Sequence, residues 1–314
     1  MCDWIASATS YSSHAVQTIP FFIFYSMFGF QRVGDFIWAA ADARTRGFLL
    51  GGTAGRTTLA GEGLQHQDGN SHTYALTVPT CRSYDPAYAY ELATIIEDGI
   101  RRMYGQGEDC FYYLSVLNEQ YAMPAMPEGA KDGILRGLYR FRAAADGAKA
   151  KARAQLLGSG AILNEVVKAQ SLLEKYGVAA DVWSATSYNE LYREAHRVER
   201  WNLRHPGEKP KASYVAECLA GTEGVIVAAS DYLKSQSDLI ARWVGRPMVS
   251  LGTDGFGRSE DRAALRDFFE VDARHVAAIT LSQLAREKQV DLKVVKQAFK
   301  DLEIDQAKVD PTLV

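Results

Sequence analysis

Cysteine is scarce in this 314-residue sequence, with four residues at positions 2, 81, 110 and 218. None forms a Cys-x-x-Cys pair and no histidine cluster stands near them, which argues against a zinc module and against a disulfide framework. Free or buried thiols in a reducing compartment are expected. Long hydrophobic runs are missing as well: the longest aromatic-apolar stretch, Phe21 to Phe30, is broken by Ser26 and Gly29 and reaches half the roughly 20 residues of a membrane-spanning helix. Basic excess is absent, and a net charge of −3 leaves no electrostatic footprint for nucleic acid. The opening Met-Cys-Asp-Trp lacks the basic stretch and cleavage-site pattern of a secretory signal. The expectation is a cytoplasmic chain with no nucleic-acid or membrane partner.

What remains is an ordinary globular composition, 47% apolar and 23% charged, in a length that suits two domains of roughly 100 to 200 residues. Residues 2 to 11 read as the end of a helix that runs from Met1 without a capping signal, so a preceding segment is expected. Phe21 to Tyr25 reads as a buried strand, Phe28 to Ala41 as a helix and Phe48 to Gly52 as the next strand. Gly51 to Gly69 is too rich in glycine for a regular element and long for a compact loop, which makes it a candidate functional loop. Beyond it, Tyr74 to Val78 reads as a strand, Pro86 to Tyr104 as a helix with Asp85 as N-cap, and Cys110 to Leu117 as a strand.

The alanine- and base-rich stretch Phe141 to Ala154 places a domain boundary, giving domains 1–145 and 146–314. After it, Gln155 to Gly160, Ala161 to Tyr176 and Ala180 to Ala185 read as a strand–helix–strand unit. Val225 to Ser230, a helix through Val244, the strand Met248 to Leu251, and helices from Asp261 and Leu281 complete the second domain. The fold class is α/β, with two domains that each hold a mainly parallel sheet covered by helices.

Glu62 and His66 lie four apart in the glycine-rich loop. A carboxylate beside an imidazole can hold the ring's charge and orientation for proton transfer, and the same spacing also suits a solvated surface loop. Tyr25, Met27 and Phe28 stand at a strand-to-helix junction. There they can stack on a flat heterocycle, or they can be plain core. Gly158-Ser159-Gly160 lacks the third glycine and the lysine of phosphate-binding loops and reads as a tight turn. Gly252 to Ser259 reads as a turn whose role is backbone geometry.

Several long segments carry a more specific signal: IPFFIFYSMFGFQRVGDFIWAA (19–40), GGTAGRTTLAGEGLQHQDGNSH (51–72), SYDPAYAYELA (83–93), LNEQYAMPAMPEGA (117–130) and LGTDGFGRSEDRAALRDFFEVD (251–272). In this order they resemble the homodimeric bacterial type of the decarboxylating component of the pyruvate dehydrogenase complex, a transketolase-like family, from Cys2 to the C-terminus. The resemblance covers most of a pyrimidine-binding domain and all of a C-terminal domain. It implies decarboxylation of pyruvate with thiamine diphosphate and Mg2+, transfer of the acetyl group to the lipoyl group of the acyltransferase component, and a homodimer.

The same resemblance sets Tyr25 and Phe28 against the cofactor's aminopyrimidine ring. It sets Glu62 and His66 beside the thiazolium and substrate, with His66 handling protons and Glu62 modulating charge. The family's activating glutamate lies a few residues before the position matched by Cys2, and its Gly-Asp-Gly and Asn magnesium-diphosphate motif belongs to another domain. No metal ligand is therefore assigned to this chain. Asn70 stands where the family usually has histidine, while His66 and His72 stay in register. A related transketolase or 2-oxoacid dehydrogenase, or a non-catalytic dimerisation piece, is the alternative reading.

Overall fold

The computed structural model describes residues 1–145 and 150–314. Helices α1 (Cys2–Ala8) and α2 (Ser10–Ser13) precede β1 (Phe21–Tyr25), α3 (Ser26–Asp42), β2 (Phe48–Gly52), α4 (Ser71–Thr77), β3 (Cys81–Tyr84), α5 (Ala89–Ile100), β4 (Phe111–Val116) and α6 (Ala130–Arg136). Then follow β5 (Tyr139–Arg142), β6 (Ala152–Gly158), α7 (Ile162–Glu174), β7 (Val178–Ser184), α8 (Tyr188–Arg204), α9 (Tyr214–Leu219), β8 (Val225–Ala229), α10 (Lys234–Asp238), β9 (Met248–Leu251), α11 (Arg262–Phe268), α12 (Ala273–Arg286) and α13 (Leu292–Asp301).

The first sheet runs β1-β2-β4-β3 and is parallel throughout. The second runs β5-β7-β6-β8-β9, parallel except for β5, which pairs antiparallel with β7. The expected α/β class with two mainly parallel, helix-covered sheets is observed. Near-continuous apolar strands such as Phe111–Val116 and Val225–Ala229 are what parallel sheets covered on both faces require. Along β4 the side chains alternate accordingly, Phe111 and Tyr113 packing with Trp4, Ile37 and Leu49, and Tyr112 and Leu114 with Ile95 and Met103.

Several sequence readings change. Tyr74 to Val78 is not a strand but largely the second half of α4. The Asp68 carboxylate accepts the N–H groups of Asn70 and Ser71 at 2.8 and 2.9 Å, starting a helix whose buried residues Ser71, His72 and Ala75 follow helical spacing. The strand comes later, at Cys81–Tyr84. Asp85 does not cap α5. That helix begins at Ala89, where the Glu91 carboxylate accepts from the N–H groups of Ala87 and Tyr88 at 2.5 and 3.2 Å, and it ends in a π-helical turn, Arg101–Gly105.

The helix read from Leu281 starts at Ala273, behind Asp272, whose side chain accepts from His275 N–H. The helix expected through Val244 is the short α10 followed by a 3-10 turn at Ala241–Trp243. The boundary expected at 145/146 falls on residues 146–149, outside the described residues. The chain changes sheet earlier, since Tyr139–Arg142 already pairs with β7.

A polar seam joins the sheets. Asp85 N–H donates to Thr186 O at 2.8 Å, Gly160 N–H donates to Asp85 O at 3.2 Å, and Ser115 Oγ donates to Asp85 Oδ1 at 2.5 Å. Ser187 Oγ donates to Ser83 O and Asn189 Nδ2 to His72 O. Burial pushes the Asp85 carboxyl from 3.8 up to about 7, against the opposing hydrogen bond from Ser115.

A pKa raised on folding gives stability that is complete below the unfolded value and is lost as pH rises through the folded one. A shift of this size is worth about 4 kcal/mol. Urea unfolding of wild type and Asp85→Asn should therefore show the wild type losing on the order of 4 kcal/mol relative to the variant between about pH 4 and pH 8. A pH-independent difference would refute the buried titration.

Candidate active site

β1 ends at Tyr25, whose extended backbone (φ −60°, ψ 124°) turns the chain into α3. This brings Phe28, in the first turn, alongside the Tyr25 ring at 6.0 Å between centroids. His66 arrives from the loop after β2 and packs edge-on against both, at 5.7 Å from Tyr25 and 5.0 Å from Phe28. Glu62 Oε2 lies 3.9 Å from His66 Nδ1. Tyr25, Phe28, Glu62 and His66 thus converge at one place, although 41 positions separate the first from the last.

The arrangement is polarised. His66 Nδ1 is shut off from solvent and has no hydrogen-bond partner, since 3.9 Å is beyond hydrogen-bond reach. The ring is still 25% exposed, so its open atoms lie elsewhere on the imidazole. Tyr25 is half exposed, and the Arg32 guanidinium sits 3.9 Å from the centroid of Phe28. Two aromatic edges, an imidazole and a carboxylate therefore border the same open side. Such a set can seat a flat heterocycle and move a proton beside it.

The loop reaches this position because the second domain holds it. Arg56 is buried, and its Nη1 donates to the carbonyls of Thr253 and Gly255, both at 2.5 Å. Burial lowers the Arg56 guanidinium below its usual value, with Asp68, Asp231 and Asp254 opposing. Gln67 donates to Leu59 O at 2.8 Å and accepts from Arg258 N–H at 2.7 Å. The Asp231 carboxylate accepts from Thr57 and Thr58.

Arg56, Gln67 and Asp231 carried no signal in the sequence, because the partners of Arg56 and Asp231, and one of the two partners of Gln67, lie in the other domain. The 252–259 turn has the backbone role read for it, with its carbonyls serving Arg56. His72, in register beside His66, is a different kind of residue: fully enclosed against Tyr113 and Tyr232, it is pushed down to about 3 by burial and stays neutral.

A separate grouping of potential ligand atoms, Asp267, Asp272 and His275, lies in the second domain, where Arg274 donates to both aspartates.

The guanidinium of Arg56 also packs on Gly69, where an added Cβ would fall 2.6 Å from Arg56 Cζ. Because two carbonyls fix that guanidinium, Gly69→Ala is expected to cost about 1 to 3 kcal/mol by overpacking. The urea midpoint measures this, and an unchanged midpoint would mean that Arg56 is free to move.

With this geometry in place, comparison with known proteins is informative. Residues 1–124 match the family model for the pyruvate dehydrogenase E1 component middle domain, and residues 137–272 match that for the transketolase-like TK C-terminal domain. The chain is 54% identical to the pyruvate dehydrogenase E1 component of Pseudomonas aeruginosa over 99% of its own length and 35% of that relative's. Among solved structures, a transketolase from Campylobacter jejuni superposes with a TM-score of 0.63 at 14% identity, over 88% of this chain and 38% of that one. A split-gene transketolase chain, described as an inactive beta4 tetramer, gives 0.59 at 17% identity over 90% and 81%. At such identities these two likenesses speak for the fold, which is transketolase-like. Both domain families are matched in order and more than half the residues are shared along the chain, so the chain belongs to the pyruvate dehydrogenase E1 component family, spanning about a third of its relatives' length.

Proposed function

We propose that this chain supplies the pyrimidine- and substrate-facing half of the active site of an acetyl-transferring pyruvate dehydrogenase. The observation that carries the reading is the packing of His66 against both Tyr25 and Phe28 with Glu62 at 3.9 Å. The residues present fit thiamine diphosphate on this side, since the half-exposed Tyr25 ring, the partly exposed Phe28 and the partly exposed His66 side chain lie together there. When bound, thiamine diphosphate supplies the electron sink for loss of carbon dioxide from pyruvate.

Tyr25 and Phe28 orient the aminopyrimidine ring by edge and face contact. His66 gives and takes a proton at Nε2, the nitrogen left for the open side, and Glu62 sets the charge beside it. In this reading Mg2+ and the diphosphate are held by a separate domain, and the acetyl group passes to a lipoyl group of the acyltransferase component.

The working unit is proposed to pair two copies in the cytoplasm. The outer face of β1 supports that pairing: Phe21 and Ile23 stand exposed there, whereas parallel strands are ordinarily covered on both faces. No helix among the described residues is long and apolar enough to cross a membrane.

Two measurements test the reading. In titrations with Mg2+, thiamine diphosphate should bind saturably only when a polypeptide carrying the diphosphate-binding domain is added; saturable binding by this chain alone would overturn the divided site. In the assembled enzyme, His66→Ala should lower acetyl transfer by about 10²- to 10⁴-fold, and unchanged turnover would remove His66 from the mechanism.

A further inference from the structure

Just beyond β8, Asp231 is 1% exposed and carries a carboxylate with no ion pair among the described residues. Instead it is wrapped by the loop of the other domain. Oδ1 accepts from Thr57 N–H and Oγ1, both at 2.7 Å, and Oδ2 accepts from Thr58 N–H at 3.0 Å and Oγ1 at 2.6 Å. Its backbone carbonyl accepts from Arg56 N–H at 3.2 Å and from Thr253 Oγ1 at 2.9 Å. Gly55 completes the wrap: with φ at +89° it brings the backbone so near that a Cβ would lie 2.2 Å from Asp231 Oδ2. A buried carboxylate must have its lone pairs filled, and here four donors from two consecutive threonines fill them.

We propose that Asp231 is a positioning residue for His66, acting across the domain seam by fixing the near end of the loop that carries it. The inference rests on the role given to His66 above. Past Thr58 the chain has few freedoms left before His66. Arg262 Nε donates to Thr58 O at 2.8 Å, Leu59 is buried, Gly61 N–H donates to Glu260 O at 3.2 Å, and Gln67 ties the far end back to Leu59 O. With Asp231 as the anchor, the nine residues 59–67 form a closed tip. With it lost, the tip hinges on the remaining contacts and the imidazole leaves its place between Tyr25 and Phe28.

The test uses this chain without thiamine diphosphate, so failure of the proposal and failure of the functional reading are separable. The readouts are the His66 ring-proton chemical shifts, assigned by their loss in His66→Gln and displaced by the Tyr25 and Phe28 ring currents, and amide hydrogen exchange of residues 59–67. Asp231→Asn, which turns an acceptor into a donor facing other donors, should abolish the displacement and speed exchange about tenfold or more. The pair Thr57→Val with Thr58→Val should do the same, whereas Thr57→Ser with Thr58→Ser, which keeps both hydroxyls, should match wild type. The ring shifts of His196, which packs on Tyr192 and Trp243 away from Asp231, should hold throughout. An unchanged His66 shift in Asp231→Asn, or a joint change of His66 and His196, would overturn the proposal; if Asp231→Asn fails to fold, the valine pair decides by the same criteria.

Discussion

The structure depends on buried carboxylates that find their hydrogen-bond donors in the opposite domain. Glu91 lies in the first turn of α5, yet besides the N–H groups of Ala87 and Tyr88 it accepts from Tyr139 OH and Ser184 Oγ of the second sheet, at 2.6 and 2.7 Å. Asp231 does the converse, reaching from the second domain into the threonines of the first. Removing one partner of such a group leaves a charge or a donor unpaired in a dry interior, which costs roughly 3 to 5 kcal/mol where ions are involved. The two sheets therefore cannot part or slide by a small amount without exposing several of these groups together. A seam of this kind specifies one relative placement more sharply than an apolar contact of similar area, because apolar surfaces tolerate repacking.

That placement decides where chemistry can occur. In parallel sheets the loops that follow the carboxyl ends of strands gather at one edge. Tyr25 closes β1, the 53–69 loop follows β2, and Asp231 and the 252–259 turn follow β8 and β9. The β2 loop would be floppy alone, with glycines at 55, 61, 63 and 69. It is ordered by Arg56, which donates to the carbonyls of Thr253 and Gly255, and by Asp231, which accepts from the loop's Thr57 and Thr58. The catalytic proposal and the packing of the domains are thus two aspects of one contact.

Legibility in the sequence followed the range of the forces involved. Phe48–Gly52 was readable because parallel burial writes a continuous apolar run, whereas Phe21–Tyr25, read as a buried strand, forms a strand whose Phe21, Ile23 and Tyr25 face is exposed. Tyr74–Val78 misled because its β-prone residues were outweighed by a local cap at Asp68 and by burial at helical spacing. Helix α8, with the polar sequence YNELYREAHRVERWNLR, went unread because its burial is a narrow stripe on a charged surface. The Glu62 and His66 pair was visible as a pattern, but its spacing alone favoured a solvated loop, and only the ordered family segments singled it out. Asp231 was beyond reach, because a carboxylate whose donors lie more than 170 positions away leaves no periodic or local trace.

His66 in the loop and His72 in the helix that follows it show what the seam accomplishes. His72 is sealed against Tyr113 and Tyr232, holds Ser115 Oγ at 3.3 Å through Nε2, and is kept neutral by burial, so it can orient a neighbour but cannot carry a proton near neutral pH. His66, six residues earlier, has Nδ1 closed off while its side chain remains a quarter exposed. The difference is not chemical identity but placement: His72 stands in the first turn of α4 between Tyr113 and Tyr232, whereas His66 stands in the preceding loop beside the half-exposed Tyr25. The role proposed for His66 needs the second placement, since a ring enclosed like that of His72 stays neutral.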